Sequence, residues 1–243
     1  MSEISVQLYS VRDRLAADLG GTLQRLAAIG LAAVEPFNPV DDPAGLRRRL
    51  DDLGLAAPTA HGWGLTGDDP GKVMEATKVL GADKLIVSSI EEAEFADADG
   101  IKRAADLLHR LAEQAAGFDL TLGYHNHWWE LESRIDGGFA LEALAAQAPE
   151  IFLEVDTYWA AVGGAEVPAL LGRLGDRVKA LHVKDGPIVK GEPNVAVGSG
   201  AMDVPAVLAA APEALRIIEF DACATDVLDA IEESHRYLAG GAA

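Results

Sequence analysis

The stretch KALHVKD (179–185) reads as a strand whose alternate residues divide between two chemistries. If His182 points to one side, so does Lys184, while Leu181 and Val183 point to the other. Two other runs repeat the pattern. In FLEVD (152–156), Glu154 and Asp156 share a face opposite Val155, and in LRIIEFD (215–221), Glu219 and Asp221 share a face opposite Ile218 and Phe220. Strands with one apolar face and one ionisable face suit a sheet that packs helices outside and encloses a polar centre. Five more short apolar runs precede them: ISVQLYS (4–10), LAAVEPF (31–37), LAAPTAH (55–61), KLIVSS (84–89) and LTLGYHNH (120–127). Each of the first seven runs is followed by an Ala/Leu-rich stretch with helical spacing, such as LAADLGGTLQRLAAIG (15–30) and GIKRAADLLHRLAEQAAG (100–117). The last helix is expected in TDVLDAIEESHRYLAG (225–240), before a frayed tail, AGGAA. Strand–helix alternation predicts a parallel sheet. Eight units of roughly 30 residues each predict an α/β fold, a (β/α)8 TIM barrel forming one domain over residues 1–243, because closure removes the edge strands. The competing open doubly wound sheet would carry a glycine fingerprint after its first strand, and SVRDRLAADLGG there contains none.

Composition limits the function. The chain has 243 residues, 49% of them hydrophobic, enough to bury a large core. Lys and Arg number 20 against 39 Asp and Glu, for a net charge of −19, which argues against binding a phosphate backbone. No run of about 18 uncharged apolar residues exists, so no membrane span is expected. The start, MSEISVQLYSVRD, shows no secretory pattern, and the single Cys223 suits a reducing compartment and is expected to be inert. These features predict a cytoplasmic protein.

Five of the eight runs end in ionisable residues: His61, His125 with His127, Asp156, His182 with Asp185, and Glu219 with Asp221. In a barrel these ends form the rim that carries chemistry. Carboxylates and imidazoles converging there would strand charge without a partner, and a divalent cation resolves this. The mixed donor set suits Mn, Fe, Co, Zn or Mg, and the lack of nearby cysteines disfavours a structural zinc. Asp156, His182 and Glu219 are the expected ligands, with His125 of the YHNH run as the fourth. Plainer roles compete at several positions. A strand-end histidine is commonly structural, Lys184 could pair with Glu154 or Asp185, and Trp63, Trp128, Trp129 and Trp159 could be core rather than pocket lining. Asp203 with Pro205 reads as a helix start, and Gly198-Ser199-Gly200 as a flexible turn in preference to a phosphate site. His109 and His235 lie on amphipathic helices and are expected to be solvated.

QLYSVRD (7–13), GYHNHWWEL (123–131), EVDTYW (154–159), LHVKDG (181–186), GSGAMDVPAVL (198–208) and IIEFD (217–221) together resemble the sugar phosphate isomerase/epimerase family, the xylose isomerase-like barrels. The resemblance spans essentially the whole chain. It implies one divalent metal held by Glu, Asp, His and Glu from the fifth to eighth strands; the last three correspond to Asp156, His182 and Glu219. On the fifth strand the sequence departs from the family, with His125 where Glu is usual and His127 or Glu130 as alternative ligands. Such a site is less negative, which makes the metal a stronger Lewis acid and removes one of the two glutamates that act as base and acid in the epimerases.

The resemblance implies an enzyme acting on a small carbohydrate, a keto-sugar or related hydroxy-ketone, through an enediolate, with Glu219 as base. Glu130, His127 or Lys184 would carry the opposite proton, and Lys184 could also hydrogen-bond a substrate oxygen. Glu35, His61, His127, Trp128 and Trp159 are expected to line the pocket. The few basic residues at the rim, chiefly Lys184 and Lys190, favour a free or glycosidic keto-sugar over a sugar phosphate. Two other functions are compatible: a lyase or hydrolase of 3-keto-glycosides or inosose-like ketones on the same site, and a non-catalytic sugar-binding barrel. Apurinic endonuclease activity conflicts with the charge of −19. The resemblance also implies a homodimer, although no segment marks an interface.

Overall fold

Eight parallel strands form the centre of the protein in a computed structural model that describes residues 4–240. They are β1 (Ile4–Gln7), β2 (Ala33–Glu35), β3 (Thr59–His61), β4 (Lys84–Val87), β5 (Thr121–His125), β6 (Phe152–Asp156), β7 (Val178–Val183) and β8 (Leu215–Ile218). Their order in the sheet is β2-β1-β8-β7-β6-β5-β4-β3. The two ends of this sheet meet: Ala33 bridges to Ala56, Val34 N–H donates to Ala56 O at 2.9 Å, and His61 N–H donates to Pro36 O at 2.8 Å. Helices separate successive strands, so the architecture is the expected (β/α)8 barrel. A short hairpin, Arg134–Ile135 with Gly138–Phe139, forms a separate sheet. Residues 241–243 of the AGGAA tail lie outside the described residues.

Local sequence explains where the helices start and stop. Asp42, Asp69 and Asp203 each accept a hydrogen bond from a backbone N–H three residues on, at 2.9, 3.2 and 3.1 Å, and each precedes a proline in the first turn. A carboxylate at that position satisfies an otherwise unpaired N–H and contributes about 0.5–2 kcal/mol. Part of the acidic composition is therefore spent on helix starts. The helix Pro70–Leu80 ends at Gly81, whose φ of 86° suits a residue without Cβ. The continuous helix expected over 15–30 is two helices, Arg12–Ala17 and Leu19–Ile29, because Asp18 leaves the helical conformation and caps the second through Gly21 N–H at 2.9 Å.

The strand faces divide as their alternation predicts. Val155, Leu181, Val183, Ile218 and Phe220 belong to the apolar core between barrel and helices. Ile101, Ala104, Ala105, Leu108 and Leu111 of the helix Ala98–Ala116 join them there. The barrel interior is polar instead, holding buried Gln7, Glu35, His61, His125, Glu154, Asp156, His182 and Lys184. Below these groups, Gly123 faces Phe152 across the β5–β6 register; a Cβ at Gly123 would lie 2.4 Å from the Phe152 ring. This close approach lets one aromatic ring sit beside β5 directly beneath the His125–Glu154 pair.

Candidate metal centre

Seven of the expected site residues converge at the carboxyl end of the barrel, arranged in two layers. The inner layer is built on Glu154. Its Oε2 lies 2.5 Å from His61 Nε2, 3.1 Å from His125 Nδ1 and 3.2 Å from His182 Nε2. Glu35 stands beside it, with Oε1 accepting from Gln7 Nε2 at 2.8 Å and lying 2.8 Å from His182 Nε2. The outer layer holds Asp156, Glu219 and Lys184. Lys184 Nζ lies 2.7 Å from Asp156 Oδ2, 2.6 Å from Glu219 Oε2 and 2.8 Å from Asp221 Oδ2. His182 Nδ1 reaches Glu219 Oε2 at 2.7 Å, and His125 Nε2 is 3.7 Å from Asp156 Oδ2.

His125 and His182 therefore each present one ring nitrogen to each layer. A carboxylate behind an imidazole accepts its N–H and leaves the other nitrogen free to bind a cation. Glu154 and Glu35 occupy that rear position. His125 Nε2, Asp156, His182 Nδ1 and Glu219 form one candidate ligand group, with ligand atoms within 4.8 Å of one another. A second such group comprises His61, His125, Glu154 and His182. Two imidazoles and two carboxylates, already close and wholly within the protein, fit a divalent first-row cation. Two inner oxygens, Glu35 Oε2 and Glu154 Oε1, are buried without a hydrogen-bond partner, so the cluster keeps acceptor lone pairs that its own side chains leave unused.

The electrostatics follow from burial set against these contacts. Burial pushes Glu219 up, but His182 and Lys184 outweigh it and hold its carboxyl well below the usual range. Burial pushes His182 down, and Glu154 and Glu219 more than reverse this, so its imidazole is held well above its usual value. Lys184 loses to burial but is raised well above normal by Asp156, Glu219 and Asp221. Asp156 is pushed up to about 6 by burial despite Lys184, and Glu154 to about 7 by burial and Glu35. Glu35 stays ionised, because His61 and His182 offset its burial. His125 falls well below the usual value through burial and its cationic neighbours, and His127 falls to about 3 through burial and Lys184.

Above the cluster is a cavity of about 200 Å³, lined by Tyr9, Phe37, His61, Trp63, His127, Trp159 and Glu219 among others. Glu219 is the outer-layer ligand that opens into it, while Asp156 and Lys184 are sealed beneath. His127 and Trp159 line this mouth as expected. Trp128 packs on Trp159 at 4.8 Å and under Lys190 at 4.1 Å, so it backs the wall.

Three expectations need correction. Glu130 does not reach the cluster. It is completely buried behind the YHNH turn, where its Oε1 accepts from Tyr124 Oη at 2.6 Å and its Oε2 from His127 N–H at 2.9 Å. This geometry braces the turn and leaves neither oxygen for a metal or a substrate. Lys184 pairs with neither Glu154 nor Asp185, because its three carboxylate partners lie on the outer layer. Those contacts hold its ammonium away from the mouth. Asp185 turns the other way and accepts from the N–H groups of Gly186, Gly198, Gly200 and Met202 at 2.8–3.1 Å. The glycine turn is thus organised rather than flexible: its Gly198 and Gly200 N–H groups go to Asp185 and its Ser199 N–H to Ala196 O. Among the remaining histidines, His109 pairs with Glu150 on the surface and His235 is half-buried. Gln7 was not anticipated from the sequence, and Glu154 was placed on the inward face without a role at the site. The signal was the alternation that places Glu154 two residues before Asp156, and the β1–β2 register that sets Gln7 beside Glu35.

The molecule is thus a (β/α)8 barrel with a polar interior and a candidate ligand group at its carboxyl rim, and comparison with known proteins identifies the barrel family. The family model described as "Xylose isomerase-like TIM barrel" matches residues 23–218, and the chain belongs to that family. Among solved structures, a sugar phosphate isomerase/epimerase from Parabacteroides distasonis superposes with a TM-score of 0.80 at 21% identity, covering 98% of this chain and 93% of that one. An L-ribulose 3-epimerase gives 0.69 at 18% identity, covering 99% and 94%. A probable 3-DHS dehydratase from Bacillus anthracis gives 0.73 at 12% identity, covering 98% of each chain. At these identities the likeness establishes the fold. No curated protein matches the chain. Among the described residues, no helix is long and apolar enough to cross a membrane.

Proposed function

We propose that this barrel is a divalent-metal-dependent, cytoplasmic isomerase or epimerase of a keto-sugar or related hydroxy-ketone. The observation that carries the proposal is the meeting of His125, Asp156, His182 and Glu219 within 4.8 Å, with Glu219 opening into the mouth. His125 Nε2, Asp156, His182 Nδ1 and Glu219 would hold the cation. When bound, it supplies Lewis-acid polarisation of the substrate carbonyl. Glu219, ionised at neutral pH, takes the proton from the carbon next to that carbonyl; such a general base contributes about 10²–10⁴-fold. Lys184 fixes the Glu219 carboxylate from below at 2.6 Å and keeps it charged. His127, neutral because burial lowers it to about 3, borders the mouth and can accept a hydrogen bond from a substrate hydroxyl. Trp159 and Phe37 supply apolar faces for a sugar ring.

With Glu130 sealed away, Glu219 and Asp221 are the carboxylates at the mouth, and of these two Glu219 alone belongs to the ligand group, so it is the base. One base suits transfer between adjacent carbons, or elimination of a β substituent, better than inversion by two opposed carboxylates. The fold neighbours support this range, being called isomerase/epimerase, epimerase and dehydratase. The test is exchange of substrate α-protons with D2O, read by NMR, with metal content measured on the same samples. Glu219→Gln should retain much of its metal and lose exchange. Wild-type exchange in that variant removes Glu219 from the mechanism, and metal content below about 0.1 equivalent in native protein favours a binding function instead.

A further inference from the structure

Three neighbouring hollows share lining residues along the rim. The mouth, about 200 Å³, reaches Trp63, Ser88 and Ser89. A second hollow of about 320 Å³ shares those residues and is otherwise walled largely by glycine backbone at Gly62, Gly64 and Gly67. A third of about 710 Å³ shares Thr66 and Ser89 with the second and runs on between Glu91–Glu94, the helix Ala98–Ala116 and Trp129. The mouth alone falls below the roughly 300–1,000 Å³ typical of ligand pockets. It accommodates one small ring, and the trough offers more room beyond it.

The trough has a definite chemistry. Trp63 is 60% exposed where the first two hollows meet. Trp129 lines the third hollow and stacks on His127 of the mouth with ring centroids 4.2 Å apart, and its buried Nε1 has no hydrogen-bond partner. Indole faces interleaved with Ser88, Ser89 and Thr66 hydroxyls match a polyhydroxylated ring, which has apolar C–H faces and polar edges. Charge narrows the choice. Three glutamates line the third hollow against Arg103 and Arg110, and Arg103 is already paired with Glu94 at 2.8 Å. An anionic group would meet net negative charge there, whereas a neutral sugar would meet both donors and acceptors.

From this trough we infer that the substrate is a glycoside, its keto ring in the mouth and a second, uncharged sugar along the Ser89–Thr66–Trp129 trough. The inference rests on the keto-sugar reading of the mouth. Its test compares Kd values by calorimetry on Mn²⁺-loaded Glu219→Gln protein, in which turnover is blocked. The probes are a methyl 3-keto-glucoside and the matching 3-keto-disaccharides, α- and β-linked. A disaccharide should bind about tenfold or more tighter than the methyl glycoside. Adding Thr66→Trp, on an exposed turn, should plug the trough and abolish that gain while leaving the methyl glycoside unchanged. Arg110→Ala, on the exposed face of its helix, should reduce the gain without filling space. Equal affinities for methyl and glucosyl probes, or a gain that survives the plug, overturn the trough assignment. So does a phenyl glycoside that matches the disaccharide, because the trough would then take an aromatic group. Failure of the methyl probe itself, together with no α-proton exchange in the wild type, would strike the reading of the mouth instead, and the trough assignment would fall with it.

Discussion

Glu130→Gln isolates a single buried ionisation. The Glu130 carboxyl is fully buried, and its two oxygens accept from Tyr124 Oη and His127 N–H. Burial raises its pKa from 4.5 to about 8 even though both donors favour the charged form. Below about pH 4.5 the folded and unfolded chains both carry this proton, and the contribution of Glu130 to stability is complete. Between about 4.5 and 8 the unfolded chain releases the proton while the folded chain keeps it, so the contribution falls as pH rises, and it levels off once the folded carboxyl ionises. At 1.36 kcal/mol per pKa unit, a displacement from 4.5 to about 8 corresponds to roughly 5 kcal/mol. Glutamine has the same shape, accepts from His127 N–H through its oxygen and donates to the Tyr124 oxygen, and does not titrate. The variant should therefore gain on the wild type by several kcal/mol between pH 5 and pH 9. Urea unfolding of both proteins, stripped of metal with EDTA, measures this directly. Parallel stability–pH curves, or a wild type that gains on the variant with rising pH, would refute the argument that burial dominates at this site.

Other outcomes follow from the same geometry. Glu154→Gln leaves three imidazoles without their common carboxylate, so metal affinity should fall roughly 10–100-fold in a chelator competition; unchanged affinity would mean that Glu154 does not orient His125 and His182. Asp185→Asn replaces a carboxylate that accepts four backbone N–H groups with an amide that turns a donor toward some of them. It should cost about 2–4 kcal/mol and expose residues 186–202 to proteolysis before the barrel strands. Gly123→Ala places a Cβ 2.4 Å from the Phe152 ring, and thermal unfolding should register a loss of about 1–3 kcal/mol.

Much of the site was legible because a strand displays its residues alternately. One inward residue in β6, β7 or β8 assigns its neighbours two positions away, and the apolar partners Val155, Leu181 and Ile218 check the assignment. That periodicity, with the short spacing between units, was enough to place Asp156, His182 and Glu219 on one rim. Glu130 was misjudged because its five-residue separation from His125 carries no direction once the strand ends. The YHNH turn folds back and buries the carboxyl under Tyr124. The same limit applies to Asp18, where a single cap splits an apparently continuous helix.

The chain's own order of residues therefore determined the barrel, the proline-marked helix start at Asp203 and the side chains of β6, β7 and β8 that face inward, since each depends on local periodicity or on contacts a few positions apart. Tertiary structure alone decided which groups pair across the barrel. That includes three imidazoles around Glu154, and Lys184 on Asp156, Glu219 and Asp221 rather than on Glu154 or Asp185. Pairings of this kind depend on the stagger between strands far apart in sequence, and differences of a few ångströms there settle which charges meet in a medium too dry to tolerate them alone.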